Sequence, residues 1–364
     1  MLSGARENPT RPHLISPHEE LALLRNATRT VRSRSRRTRL GILATSLVML
    51  ASVSGCGLLG GESEDSAEGG NGPLEKSKIT VSIMPTIDLA PLHLAMKNGY
   101  FKEEGLEIET ISAKSGQNSL TKLISGEVDI AYSSYSPFFL AQSKGVANLK
   151  FVADASSAAP NSTLIMAIPD SKVQSVQDLE GKRIGITAKG TIIEVLVKST
   201  MQANGVDFSN VEWVEIPFPD TAAALENEQV DAAFLTEPFI TQAEKSIGAV
   251  PVADTAKGPT KDFPTAGYGA SADFADNNPK TVAAFQRVMQ KATNEALADR
   301  SKIEPLLVEH SKIDADTAKL ATLLTFQSAL DPQRLQRVPD LLLEFGIIKQ
   351  AVDASQMIAK PAAD

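Results

Sequence analysis

The sequence is short of the residues that build covalent or metal-held scaffolds: 364 residues carry one cysteine and four histidines. A disulfide framework needs cysteine pairs and a structural zinc site needs several Cys or His ligands, so both are excluded. Two of the histidines, His13 and His18, lie in the first twenty residues, which leaves His93 and His310, too few for a His-based catalytic or metal cluster. Gly and Pro show no period, which excludes collagen. Positive charge is scarce beyond the front end. Residues 1–55 hold nine Arg, no Lys and three Glu, so the remaining 27 basic and 41 acidic side chains give the body a net charge of −14. Nucleic-acid recognition needs a Lys/Arg surface that neutralises several phosphates, and this body does not supply one. What is present is ordinary: 42% hydrophobic and 22% charged residues, enough for the core of a soluble one- or two-domain protein.

The front end has the parts of an export signal in order. Arg32, Arg34, Arg36, Arg37 and Arg39 precede an apolar run over 40–53, then Val53-Ser54-Gly55-Cys56 and a polar stretch. The run falls short of the roughly 20 residues of a permanent membrane helix. Val53-Ser54-Gly55-Cys56 resembles a bacterial lipobox, which makes Cys56 the expected lipidated residue. Ser35-Arg36-Arg37 resembles part of a twin-arginine signal, but Arg39 stands where that pattern prefers Phe, so the export route stays open. Residues 1–30 exceed a usual signal and suggest an over-extended start, with translation from the Val31 codon. The Gly/Ser/Glu-rich stretch 57–76 reads as a tether.

From Lys78 onward short β-rich runs alternate with amphipathic runs, the pattern of an α/β protein. Strands are expected at 78–84, 107–111 and 128–132, with helices at 88–99 and 119–125. A comparable set follows, with strands at 183–187, 211–216 and 232–236 and helices at 191–203 and 222–228. Leu123-x4-Val128-Asp129-x-Ala131 matches Leu225-x4-Val230-Asp231-x-Ala233, which points to two similarly built lobes. Beyond Tyr268 the chain turns helical, with Asn278-Pro279 opening one helix, Asp314 capping another and Pro339 starting a third.

The run Ala90-Pro91-Leu92-His93-Leu94-Ala95-Met96-Lys97-Asn98-Gly99-Tyr100-Phe101 resembles the opening of ABC-transporter solute-binding proteins for aliphatic sulfonates, nitrate and thiamine-pyrimidine precursors. Ser125-Gly126-Glu127-Val128-Asp129, Asp178-Leu179-Glu180-Gly181-Lys182 and Val230-Asp231-Ala232-Ala233-Phe234-x-x-Glu237-Pro238-Phe239 are similar to later motifs of that family, in the same order. The resemblance implies a type II periplasmic-binding-protein fold, two α/β lobes joined by two crossovers around a ligand cleft. The expected division is a leader and signal over 1–55, a lipidated Cys and tether over 56–77, lobe 1 over 78–165 plus 268–364, and lobe 2 over 166–267. The crossovers are placed near 162–168 and 265–271.

Ligands of open α/β sheets bind outside the carboxyl ends of the strands, where helix N-termini offer free N–H groups to anions. The loops in that position are 85–88, 115–118, 133–136, 189–191, 217–220 and 237–239. Ser115 and Gln117 offer a hydroxyl and an amide, though Ser115 equally suits a helix cap. Ser134 and Tyr135 end an apolar strand and could wall a pocket. Lys189, with Thr191, is the best candidate for a cationic contact. Asp88 and Glu237 favour an amino or aminopyrimidine group over an anion unless they are structural, Asp88 as a cap and Glu237 within its Glu-Pro motif. No Arg falls in any of these loops, which weakens a simple sulfonate site.

Several other signals read as structural. Gly185-Ile186-Thr187-Ala188-Lys189-Gly190-Thr191 lacks the P-loop order, and His93 sits in an apolar helix as a structural histidine. The function these features imply is that of an extracytoplasmic, lipid-anchored, monomeric receptor of an ABC importer. It would capture a sulfonate, taurine or nitrate, or alternatively a thiamine-pyrimidine precursor or other amino-bearing heterocycle, and hand it to a permease and ATPase. No catalytic residue, cofactor, metal or nucleic acid enters. A pyrimidine synthase is disfavoured, because the family's Cys-rich enzyme motif is missing. A surface lipoprotein that binds another protein is the third reading, and a large exposed apolar patch would favour it.

Overall fold

The computed structural model describes residues 73–311 and 313–360, which belong to the unit Ala67–Asp364; Cys56 and the export signal lie outside the described residues. The strands are β1 (Lys78–Ile83), β2 (Glu107–Ser112), β3 (Ile130–Ser134), β4 (Leu149–Ser157), β5 (Thr163–Ala167), β6 (Arg183–Ile186), β7 (Glu212–Glu215), β8 (Ala232–Thr236), β9 (Val250–Asp254), β10 (Pro264–Ser271) and β11 (Thr325–Phe326). The helices of the first half are α1 (Ala90–Lys97), α2 (Tyr100–Glu103), α3 (Gly116–Ile124), α4 (Tyr135–Ser143), α5 (Ile192–Ala203), α6 (Phe218–Glu226) and α7 (Phe239–Ile247). Those that follow are α8 (Ala272–Asn277), α9 (Pro279–Ala298), α10 (Glu304–Ser311), α11 (Ala315–Leu320) and α12 (Pro332–Glu344).

The strands form two sheets, in the orders β11-β4-β10-β3-β1-β2 and β7-β6-β8-β5-β9. In each, the first strand of the set lies between the second and third and runs parallel to both; an antiparallel strand, β10 or β5, continues the sheet beside the third. The two lobes therefore share a topology, as the repeated Val-Asp-x-Ala phrase implies. The aspartate of that phrase does the same work in both. Asp129 donates its N–H to Thr80 O at 2.9 Å and accepts the Thr80 N–H on Oδ2 at 2.9 Å. Asp231 does so with Arg183, at 2.9 Å and 2.8 Å, and its Oδ1 also takes the Arg183 guanidinium at 2.7 Å. The turn before each aspartate closes in the same way, Glu127 N to Lys122 O and Gln229 N to Ala224 O, both at 2.9 Å, around a left-handed residue that is Gly126 in one lobe and Glu228 in the other.

The chain passes between the sheets at 158–162 and 255–263, slightly ahead of the expected positions, because residues 163–167 pair as β5 with β8 and residues 264–271 pair as β10 with β3. Two helix starts follow the sequence: Asn278 precedes α9, and Asp314 caps α11 by accepting the Thr317 N–H. The third does not. Pro339 lies inside α12, which begins at Pro332 because Asp331 accepts the N–H groups of Gln333 and Arg334. One apolar cluster runs through both lobes: Tyr135, Phe138 and Phe139 of α4 join Ile192, Val195 and Leu196 of α5 and Leu335, Val338 and Leu342 of α12. A second, including Phe101, Tyr268 and Phe285, lies within the first lobe.

Candidate functional site

The carboxyl ends of strands from both sheets line a cleft of about 540 Å³, its open mouth included. Met84 and Thr86 follow β1 and Ser134 ends β3; Thr187 follows β6, Phe218 follows β7 and Thr236 ends β8. Gly116, Thr191 and Ile192 come from the N-termini of α3 and α5, Thr163 and Thr265 from the starts of β5 and β10, and Leu324 from just before β11. Among the described residues lining the cleft there is one carboxylate, Asp88, and no Lys, Arg or His. The walls are otherwise hydroxyls and apolar side chains.

Asp88 occupies a short turn, Ile87–Leu89, between β1 and α1, and the buried side chains of Ile87 and Leu89 fix that turn on either side of it. The residue is 6% exposed. Oδ2 accepts from the Tyr132 hydroxyl and, at 3.1 Å, from Ser156 Oγ. Ser156 Oγ lies 2.7 Å from Thr265 Oγ1, and since the Ser156 proton goes to Asp88, Thr265 donates to Ser156. Oδ1 has no hydrogen-bond partner. Burial, and then the Asp88 charge, push the Tyr132 and Tyr268 hydroxyls well above the usual phenol range, so Tyr132 keeps its proton and acts as donor. Asp88 is therefore held by side chains of β3 and β4, and the expected capping role is not the one its bonds describe.

Two hydroxyls of the cleft are committed in one direction. Thr191 Oγ1 donates to Ala188 O at 2.8 Å and Thr236 Oγ1 donates to Ser162 O at 3.1 Å. A threonine has one proton, so these oxygens face the cleft as acceptors only.

Five of the six expected loops reach the cleft, through Thr86 and Asp88, Gly116, Ser134, Thr191 and Phe218; the loop at 237–239 does not. Of the expected contact residues, Asp88, Ser134 and Thr191 are brought together there. Ser115 stands just outside and caps α3 by accepting the Asn118 N–H at 3.1 Å. Gln117 and Lys189 are exposed and do not line this cleft; it is the Lys189 backbone that is engaged, donating to Glu215 Oε1 at 2.7 Å. Tyr135 is wholly buried in the core, edge-on to Phe151, and donates to Asp154 Oδ1 at 2.7 Å. Glu237, also buried, accepts from Thr241 N and Oγ1 at 3.2 and 2.9 Å and from Thr322 N at 3.3 Å, while burial pushes its carboxyl above the usual range. It ties α7 to the segment before β11. The strand residues that sequence reasoning missed are Tyr132, Thr163, Phe234, Thr236, Thr265 and Ala266, because alternation signals burial but not which buried side chain borders a cleft.

Comparison with known proteins agrees with this architecture. The family model for NMT1/THI5-like proteins matches residues 86–303. A putative aliphatic sulfonates-binding protein of Bacillus subtilis (strain 168) is 24% identical over 255 residues, 68% of this chain and 72% of that protein. A formylaminopyrimidine-binding protein of Halalkalibacterium halodurans is 26% identical over 159 residues, 44% of this chain and 47% of its own length. The periplasmic aliphatic sulphonate binding protein SsuA of Escherichia coli superposes with a TM-score of 0.64 at 19% identity, over 78% of this chain and 98% of its own. With two topologically matched sheets around a cleft and a family match over most of the described residues, the chain belongs to the NMT1/THI5-like family and has the type II periplasmic-binding-protein fold.

Proposed function

We propose that this chain is the extracytoplasmic receptor of an ABC importer, a lipid-anchored monomer that captures one small solute, closes its lobes over it and delivers it to a membrane permease. ATP is hydrolysed by a separate subunit, and no bond is broken in the cleft. The observation that carries this reading is that residues of both lobes line one cleft, Thr86 and Ser134 from one side and Thr187, Thr191 and Thr236 from the other. A solute that touches both lobes stabilises the closed arrangement through its differential affinity for it. The two curated relatives are named as binding proteins, which supports the same reading.

Two solute classes are in view. A sulfonate, taurine or nitrate would use the N-termini of α3 and α5 at Gly116 and Ile192. An amino-bearing heterocycle such as a thiamine-pyrimidine precursor would use the bare Asp88 Oδ1 instead. Thermal melts against taurine, alkanesulfonates, nitrate and aminopyrimidines test the receptor reading. A solute at about a hundred times its Kd adds about 2.7 kcal/mol and raises the melting temperature by about 5 °C or more. A flat response to the whole panel, confirmed by calorimetry, overturns it.

A further inference from the structure

We infer that the solute held in this cleft is an organic cation, a protonated amine or amidine on an apolar body, with Asp88 as its counter-ion. The inference rests on the receptor reading above and sharpens it to a charge and a contact. Its first support is the carboxylate itself: Asp88 is 6% exposed, lines the cleft and has one oxygen, Oδ1, without a partner, although buried carboxylate oxygens are ordinarily satisfied. Its other oxygen is fixed by Tyr132 and Ser156, so the bare one is held in place. Among the described lining residues no Lys, Arg or His offsets the charge.

Four of the hydroxyls that line the cleft supply the second support. Thr191, Thr236 and Thr265 have given their protons to Ala188 O, Ser162 O and Ser156 Oγ, and Tyr132 has given its proton to Asp88. What they offer a ligand is lone pairs, which suit N–H donors and repel sulfonate or nitrate oxygens. The helix ends that would serve an anion are partly satisfied from within. Ser115 Oγ takes the Asn118 N–H at 3.1 Å in α3 and Pro219 leaves α6 without a donor at its second position, whereas α5 carries no side-chain cap, the Gly190 N–H that Glu194 Oε2 takes at 2.8 Å lying ahead of its first turn. Phe218, Phe234, Ile193 and Leu196 provide the apolar wall for the body of the solute.

Calorimetric titration of the full chain with four probes of matched shape tests this: benzylamine, benzamidine, benzyl alcohol and phenylmethanesulfonate. The expected result is that the two cations bind, and that the alcohol and the sulfonate bind at least about tenfold more weakly. Asp88→Asn keeps the shape of the side chain and should weaken benzylamine binding roughly thirtyfold or more, while Tyr132→Phe, which only releases the carboxylate's orientation, should weaken it less. The probe comparison needs no variant, so it stands even if Asp88→Asn fails to fold. Tighter binding of phenylmethanesulfonate than of benzylamine overturns the inference and leaves the receptor reading intact. So does unchanged benzylamine affinity in folded Asp88→Asn, or a solute of the wider panel that binds only in its uncharged form. If neither these probes nor the wider panel binds, the receptor reading falls and the inference falls with it.

Discussion

Glu228 holds a left-handed backbone, φ 53°, in the turn where the first lobe has Gly126 at φ 76°. An L-residue with a Cβ is strained there by about 1 kcal/mol, and Glu228 is exposed, so its side chain gives little in return. Glu228→Gly should therefore stabilise the protein by about 0.5–1 kcal/mol, and Gly126→Ala should destabilise it by about as much, both read from urea denaturation. An unchanged midpoint for Glu228→Gly would show that the strain is relieved elsewhere. Gly267 illustrates a different constraint. A Cβ there would lie 2.6 Å from Tyr135 Cζ, so Gly267→Ala must displace a fully buried ring and its hydrogen bond to Asp154. That overpacking should cost about 2–3 kcal/mol, measured in the same way. At this scale the sequence was informative about position and uninformative about direction. Asp88, Ser134 and Thr191 could be placed because the loops after strands are readable. Lys189 and Tyr135 sit in the same loops, yet one side chain turns to solvent and the other into the core, and a loop residue's type does not encode that choice. Nor does a threonine's type say where its proton goes: for Thr236 the acceptor is the carbonyl of Ser162, distant in sequence and set by the meeting of β5 and β8.

Among the elements, the aspartates at the start of β3 and β8 are the clearest case of a local phrase that specifies tertiary structure. Each carboxylate accepts a backbone N–H from the neighbouring parallel strand, β1 or β6, and so locks the register of a parallel pair that has no hairpin to set it. Asp129→Ala and Asp231→Ala should each cost about 1–3 kcal/mol. The Arg183 hydrogen bond holds the Asp231 carboxyl below the usual range, so this contribution is present above the unfolded pKa and is lost as pH falls through the lower folded one. A loss for Asp231→Ala that is the same in strong acid as at neutrality would contradict the ionised hydrogen bond. The start of α12 shows where such phrases mislead: Asp331-Pro332 and Pro339 are both acceptable openings by composition. The burial of Leu335, Val338 and Leu342 against both lobes makes the longer helix worth the interior proline.

For the whole molecule, acid stability should turn on His93. Its ring stacks on His310 at 3.7 Å between centroids, joining α1 to α10, and burial, with the His310 charge second, pushes its pKa from 6.5 down to about 4. Between those values the unfolded chain binds the proton and the folded one does not. Stability present above pH 6.5 is therefore lost as pH falls towards 4, by about 3 kcal/mol. His93→Phe keeps a flat ring in that place and removes the titration, so its denaturation midpoint should fall less than the wild type's between pH 7 and pH 4. Equal falls would place the acid sensitivity elsewhere. The apolar seam formed by α4, α5 and α12 has a mechanical consequence. Ile192 and Leu196 belong both to that seam and to the cleft wall, whereas Ile87 and Leu89, which flank Asp88, pack in other apolar clusters. If the seam persists through opening, it is the jamb on which the door hangs: the floor of the cleft keeps its shape while the carboxylate swings. Under the proposed receptor reading, opening would then be a rotation with one degree of freedom, and Asp88 would travel farther than the apolar surface of α5.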